Sequence, residues 1–220
     1  MWFGAEKNII RHEKQMWLGT ENEEFEMIDY NNNILILVDV QVGFTKKFTV
    51  EKIPVIEKLL EARLFDTVVA TKYWNTPDSN ISRLMDWKDL CTEEEQALVP
   101  EIIPYVDYIT EKNIYSGVTE ELVELLTKLG KGELPPHVFL LGFDTECCLL
   151  STAADLFELG VRPLVLTEYS GSHDGPKYHN AGIISMEHLI GPDFLITDSD
   201  IRSREDVADI LKRAYANQNL

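Results

Sequence analysis

Apolar residues recur along the chain with two different periods. Residues 34–38 form an unbroken apolar run that stops at Asp39. A short run without polar interruption predicts a strand buried on both faces. Residues 50–63 change to helical spacing, with Val50, Ile53, Ile56, Leu59 and Leu60 apolar. The same alternation continues. Strands are predicted at 67–71, 105–110, 138–143, 161–167 and 194–197. Helices are predicted at 119–129, stopped by Gly130, at 146–159, closed by Gly160, at 176–189, and at 203–216 with Ser203 as N-cap. Residues 74–104 are irregular and carry prolines. A short helix is expected there from Thr92, because Thr92-x-x-Glu95 has the spacing of a capping box. Strand and helix in repeated alternation predict an α/β fold: a doubly wound, Rossmann-like, mostly parallel six-stranded sheet with helices on both faces. Ligands of such sheets sit beyond the carboxyl ends of the strands.

Composition adds limits. The 220 residues suit one domain with some decoration, divided here as an extension at 1–32, a domain at 33–198, and a C-terminal helix at 199–220 packed on the domain or on a neighbouring subunit. The net charge of −18 and pI of about 4.6 disfavour nucleic acid and anionic membrane surfaces as partners. Cys91, Cys147 and Cys148 are an odd set with one adjacent pair, a poor disulfide framework, so a reducing, cytoplasmic setting is expected. No apolar run approaches the ~20 residues of a membrane helix. No apolar signal core follows a basic start.

The carboxyl-end rule acts as a filter on reactive side chains. Asp39 ends the first predicted strand, Lys112 follows the third, and Cys148 lies just past the fourth, where the next helix opens. A helix N-terminus favours a thiolate, and its free N–H groups can hold an oxyanion. A carboxylate after five apolar residues is poorly solvated and suited to proton transfer. Each residue alone also has an ordinary reading: a core cysteine, a turn aspartate, a surface lysine.

Together the three segments resemble a known family. ILILVDVQVGF at 34–44 is similar to the opening strand of isochorismatase-like cysteine hydrolases, with Asp39, Gln41 and Phe44 matching Asp-x-Gln-x-x-Phe. EKNIYSGVTEELVELL at 111–126 resembles the family's lysine stretch, with Lys112 aligned. GFDTECCLLSTAADLFELG at 142–160 resembles its nucleophile region, aligning Gly142, Thr145, Glu146, Cys148, Thr152 and Ala153 and selecting Cys148 over Cys147. The resemblance implies an Asp39-Lys112-Cys148 triad and a cis peptide at Phe143-Asp144. It also implies an oxyanion hole made by the backbone N–H groups of Asp144 and Cys148.

The same resemblance implies cleavage of the C–N bond of a small amide or carbamoyl/ureido substrate through a thioester, without a cofactor. The alternatives are a vinyl-ether or ester hydrolase that does not need Cys148, a non-catalytic binding protein on the same fold, and a redox role for Cys147-Cys148. The nicotinamidase branch carries metal ligands after the second strand; here Tyr73 and Asn75 stand in their place, so no metal is expected. Phe44, Trp74 and Tyr115, with Gln41, are the candidate substrate contacts. His173 and His179 are read as surface and capping residues. A homo-oligomer is expected by analogy with the family.

Overall fold

The structure, a computed structural model, describes residues 32–216; residues 1–31 of the expected extension lie outside the described residues. Six strands form one sheet: β1 (Ile34–Val38), β2 (Thr67–Tyr73), β3 (Tyr108–Lys112), β4 (His137–Gly142), β5 (Arg162–Leu166) and β6 (Leu195–Ile196). Their order is β3-β2-β1-β4-β5-β6, and every pairing is parallel. The helices are α1 (Ile53–Glu61), α2 (Asn80–Leu84), α3 (Glu93–Gln96), α4 (Glu120–Leu129), α5 (Leu150–Glu158), α6 (Pro176–Leu189) and α7 (Arg204–Ala216).

The apolar run of β1 has a direct explanation. Side chains alternate between faces of a strand. Leu35 and Leu37 enter one core with Ile56, Leu59 and Leu60 of α1 and Val207, Ile210 and Leu211 of α7. Ile34, Ile36 and Val38 enter a second core with Leu122 and Leu126 of α4, Ala153 and Leu156 of α5 and Met186 of α6. A strand covered on both sides cannot carry a polar residue until it leaves the sheet, which it does at Asp39. The backbone turns there with φ 53°.

Local signals also hold. Thr92 and Glu95 form the reciprocal capping box expected of them. Ser203 Oγ accepts from Asp206 N–H at 3.2 Å at the start of α7. Two strands differ from expectation. The third begins at Tyr108 rather than 105, because Ile103–Tyr105, with Pro104, form a 3-10 turn. It is an edge strand with Tyr108 and Ile109 exposed, so its apolar residues do not mark a buried run. The last strand shrinks to Leu195–Ile196 because Pro192–Phe194 also turn.

The strand order reverses at β1 and β4, where connections leave toward opposite edges. This is where doubly wound sheets open a crevice. Gly142 permits the two strands to leave the sheet side by side. Its φ is +143°, and a Cβ there would lie 2.0 Å from the carbonyl oxygen of Val38.

Candidate active site

Asp39 leaves β1 at this crevice, fully buried. Thr71 of β2 holds it from both ends: its hydroxyl donates to Asp39 Oδ1 at 2.6 Å and accepts from Asp39 N–H at 3.1 Å. Lys112 is the last residue of β3 and reaches across β2, passing 5.2 Å from the Tyr73 ring centre. Its ammonium lies 2.7 Å from Asp39 Oδ2, with both side chains withdrawn from solvent. Two of its three N–H donors go to the carbonyls of Ile114 (3.1 Å) and Tyr115 (2.7 Å). Burial works to lower the lysine pKa, but the Asp39 carboxylate and Cys148 outweigh it and hold the ammonium above its usual range. The Cys148 thiol lies within hydrogen-bonding reach of both Asp39 and Lys112.

Cys148 arrives from β4. The segment after Gly142 passes through a cis peptide at Phe143-Asp144, as the family resemblance implies, and then winds as a π turn over Thr145–Leu149 before α5 begins. Several contacts fix this turn. Thr145 N–H donates to Gly171 O at 3.1 Å. The Thr145 hydroxyl meets His179 Nδ1 at 2.8 Å. Thr152 Oγ1 donates to Cys148 O at 2.7 Å and accepts from Gly117 N–H at 2.8 Å. Gly182 of α6 packs directly against it, since a Cβ there would fall 2.7 Å from Glu146 N.

The thiol itself departs from the sequence expectation of a lowered pKa. Burial, and then the neighbouring Asp39 carboxylate, push Cys148 well above the usual thiol range; Lys112 only partly opposes them. The reason is tertiary: the thiol is enclosed, and the nearest anion competes with it for the same lysine.

Above these residues lies a cavity of about 290 Å³. Phe44, Tyr73, Trp87, Tyr115, Ile81 and Met85 form an aromatic and apolar wall; Asp144, Glu146, Cys147, Cys148, His173 and Asp174 form the other side. Phe44 and Trp87 stack with centroids 6.1 Å apart. Burial pushes Tyr73 up to about 12, so its phenol stays neutral. Burial, followed by Glu146 and Asp144, likewise pushes Cys147 up to about 12. The Asp144 carboxylate holds His173 twice: Oδ1 accepts from its backbone N–H at 2.8 Å, and Oδ2 meets its Nδ1 at 2.5 Å. The bond to Asp144 raises the His173 pKa against the effect of burial.

Of the expected substrate contacts, Phe44 and Tyr115 line this cavity, whereas Gln41 and Trp74 do not. Gln41 is buried and spends its amide on the backbone: Nε2 donates to Tyr73 O (2.8 Å) and Gln96 O (2.7 Å), and Oε1 accepts from Tyr73 N–H (2.8 Å). Trp74 follows Tyr73 while still paired to β3 through Lys112 O, and one step along an extended chain turns the side chain to the other face. The tryptophan on the wall is Trp87, from the irregular segment where no periodicity could single it out. His173 belongs to the wall rather than the open surface. Asn75 is a loop organiser, its side chain bonded to Asp89 O, Thr76 N and Ser79. Among the described residues no group of three His, Cys, Asp or Glu side chains could hold a metal ion, and no helix is long and apolar enough to cross a membrane.

The isochorismatase domain model matches residues 33–193. Comparison with curated proteins returned no match. Among solved structures, an isochorismatase-like hydrolase from Alkaliphilus metalliredigens aligns with TM-score 0.62 and 20% identity, covering 72% of this chain and 92% of that one. N-carbamoylsarcosine amidase from Thermoplasma acidophilum aligns with TM-score 0.60 and 21% identity, covering 73% and 93%. The MAR1 ribonuclease from Caenorhabditis elegans aligns with TM-score 0.56 and 18% identity, covering 86% and 83%. These likenesses speak for the fold. The family model spans most of the chain, and on that ground the chain belongs to the isochorismatase family of hydrolases.

Proposed function

We propose that the chain is a cysteine hydrolase that cleaves the C–N bond of a small amide or carbamoyl substrate, with Cys148 as nucleophile, Asp39 as proton carrier and Lys112 as fixed positive charge. One observation carries this reading: the Asp39–Lys112 ion pair is buried behind Cys148, which lines the cavity, and the Cys148 thiol is in reach of both. A buried ion pair is a poor device for stability, because desolvating two charges costs several kcal/mol per ion. Its placement against a thiol gives it a chemical use.

The raised thiol pKa sets the order of events. In the resting site sulfur keeps its proton. As sulfur attacks the carbonyl carbon, the S–H proton passes to Asp39, and the carbonyl electron pair moves onto oxygen. The backbone N–H groups of Asp144 and Cys148 hold that oxyanion. Asp39 then gives the proton to the departing nitrogen, the C–N bond breaks, and a thioester remains. A water molecule loses a proton to Asp39 as its oxygen attacks the thioester. Sulfur departs and takes the proton back, which restores the starting site. Lys112 stays charged throughout and balances whichever of Asp39 and sulfur is negative.

The amidase reading is supported by the amidase among the similar folds. A second reading has one specific point in its favour: the ribonuclease covers a larger share of this chain than the amidase does. The charge of −18 works against it. The test is a panel of carboxamides, carbamoyl amino acids and a single-stranded RNA, assayed with the native protein and with Cys148→Ala. Amide or carbamoyl turnover that falls by roughly 10³-fold or more in Cys148→Ala is expected. Turnover that survives that substitution, or activity confined to RNA, sinks the proposal.

A further inference from the structure

A second cavity, about 510 Å³ in volume, adjoins the first. Tyr73, Ile81, Met85 and Tyr115 line both. On this shared wall Tyr115 Oη contacts Met85 Sδ at 3.8 Å, and both side chains are exposed. The outer chamber adds Leu84 and Ile114 to the shared apolar wall. Leu84 is 76% exposed, Met85 67% and Ile114 55%, an apolar group left uncovered in the chamber that adjoins the cavity of Cys148. Asp78, Ser79, Asn80 and Asn113 complete the lining. The inner chamber alone falls at the lower edge of the ~300–1,000 Å³ usual for ligand sites, while the two in series lie well within it.

Resting on the proposed hydrolase chemistry, we infer that the substrate has two parts: a carbonyl group seated over Cys148, and an apolar chain or ring of several carbons lying in the outer chamber against Leu84, Met85 and Ile114. The continuity of the two walls is the argument. A ligand held at Cys148 that extends beyond the inner chamber past Met85 and Tyr115 meets apolar surface that gains by being covered. A thioether and a phenol that touch at their tips can part by rotamer changes, without moving the backbone.

The test needs no knowledge of the natural substrate. Cys148 is alkylated with iodoacetamide and with N-hexyl-iodoacetamide, and the modified residue is identified by tandem mass spectrometry. Glutathione supplies the ratio of the two rates without a binding site. The two reagents share one reactive carbon, so any excess for the hexyl reagent reports binding of its tail. The expected result is an excess of about tenfold at Cys148, the effect of burying about two methylenes. That excess falls to the glutathione ratio in Leu84→Asp and in Leu84→Lys, which alter the outer chamber alone with opposite charges, while the rate with iodoacetamide stays as in the native protein. A hexyl ratio equal to that of glutathione overturns the inference and leaves the hydrolase reading standing. An excess that persists in both variants also overturns it, since the tail then binds elsewhere. If the variants change only the oligomeric state in sedimentation, the face belongs to a second copy of the chain. Failure of Cys148 to react with either reagent removes the nucleophile, and the inference falls with it.

Discussion

The buried floor beneath Cys148 and the mouth of the cavity differ in what holds their side chains. At the floor, Asp39 and Lys112 are withdrawn from solvent and fixed by named partners, Thr71 on one side and the carbonyls of Ile114 and Tyr115 on the other. At the mouth, Leu84, Met85 and Ile114 are largely exposed, and the Tyr115 hydroxyl makes a weak contact with the Met85 thioether. Charge in a dry site demands a fixed geometry, because an unmatched ion there is costly. Apolar side chains in water make no such demand. The floor is therefore suited to one chemistry, and the mouth to admitting and selecting what reaches it.

This contrast can be broken at the floor first. Asp39→Asn should lower turnover by roughly 10³-fold, since proton transfer is lost. It should also speed iodoacetamide modification of Cys148. Burial still raises the thiol pKa, but the carboxylate that adds to that rise is gone and Lys112 acts on sulfur alone. Loss of turnover with alkylation moved to higher pH would contradict the assignment of Asp39 as base.

Gln41 probes the frame behind the floor. Gln41→Ala leaves the N–H and C=O of Tyr73 and the C=O of Gln96 without their partner, in a buried setting. A loss of about 3 kcal/mol in urea unfolding is expected, at roughly 1–3 kcal/mol for each orphaned group. A loss confined to KM, with stability unchanged, would return Gln41 to the substrate.

His173 gives a smaller, pH-dependent effect. Its bond to Asp144 raises its pKa in the folded state, opposed by burial. A raised pKa means that its contribution to stability is complete below the unfolded value of about 6.5 and fades as pH climbs through the folded one. The Tm difference between the native protein and His173→Gln should therefore be widest near pH 5.5 and narrow toward pH 8.5. A difference that widens with rising pH would show that the charged pair is not what His173 contributes.

The mouth should respond least. Leu84→Ser removes an apolar side chain that is mostly in water, and stability should change by no more than about 0.5 kcal/mol. A larger loss in thermal unfolding would mean that Leu84 is covered in solution.

The sequence by itself determined the strand and helix alternation, the buried character of β1, the capping box at Thr92, and the location of Asp39, Lys112 and Cys148 on one rim. These follow from short-range causes: a strand covered on both faces must be apolar throughout, and caps and strand ends recur at fixed spacing. The family motif added the cis peptide at Phe143-Asp144. Only the tertiary structure decided the rest. It turned Gln41 to the backbone, put Trp87 on the wall in place of Trp74, and brought His173 onto Asp144. It also set burial and a carboxylate, which push the thiol pKa up, against the helix start that favours a thiolate. A helix start near Cys148 can be read along the chain, but the burial of its sulfur and the Asp39 carboxylate beside it come from distant strands. Burial and charge are summed over neighbours in space, and no window of sequence contains them.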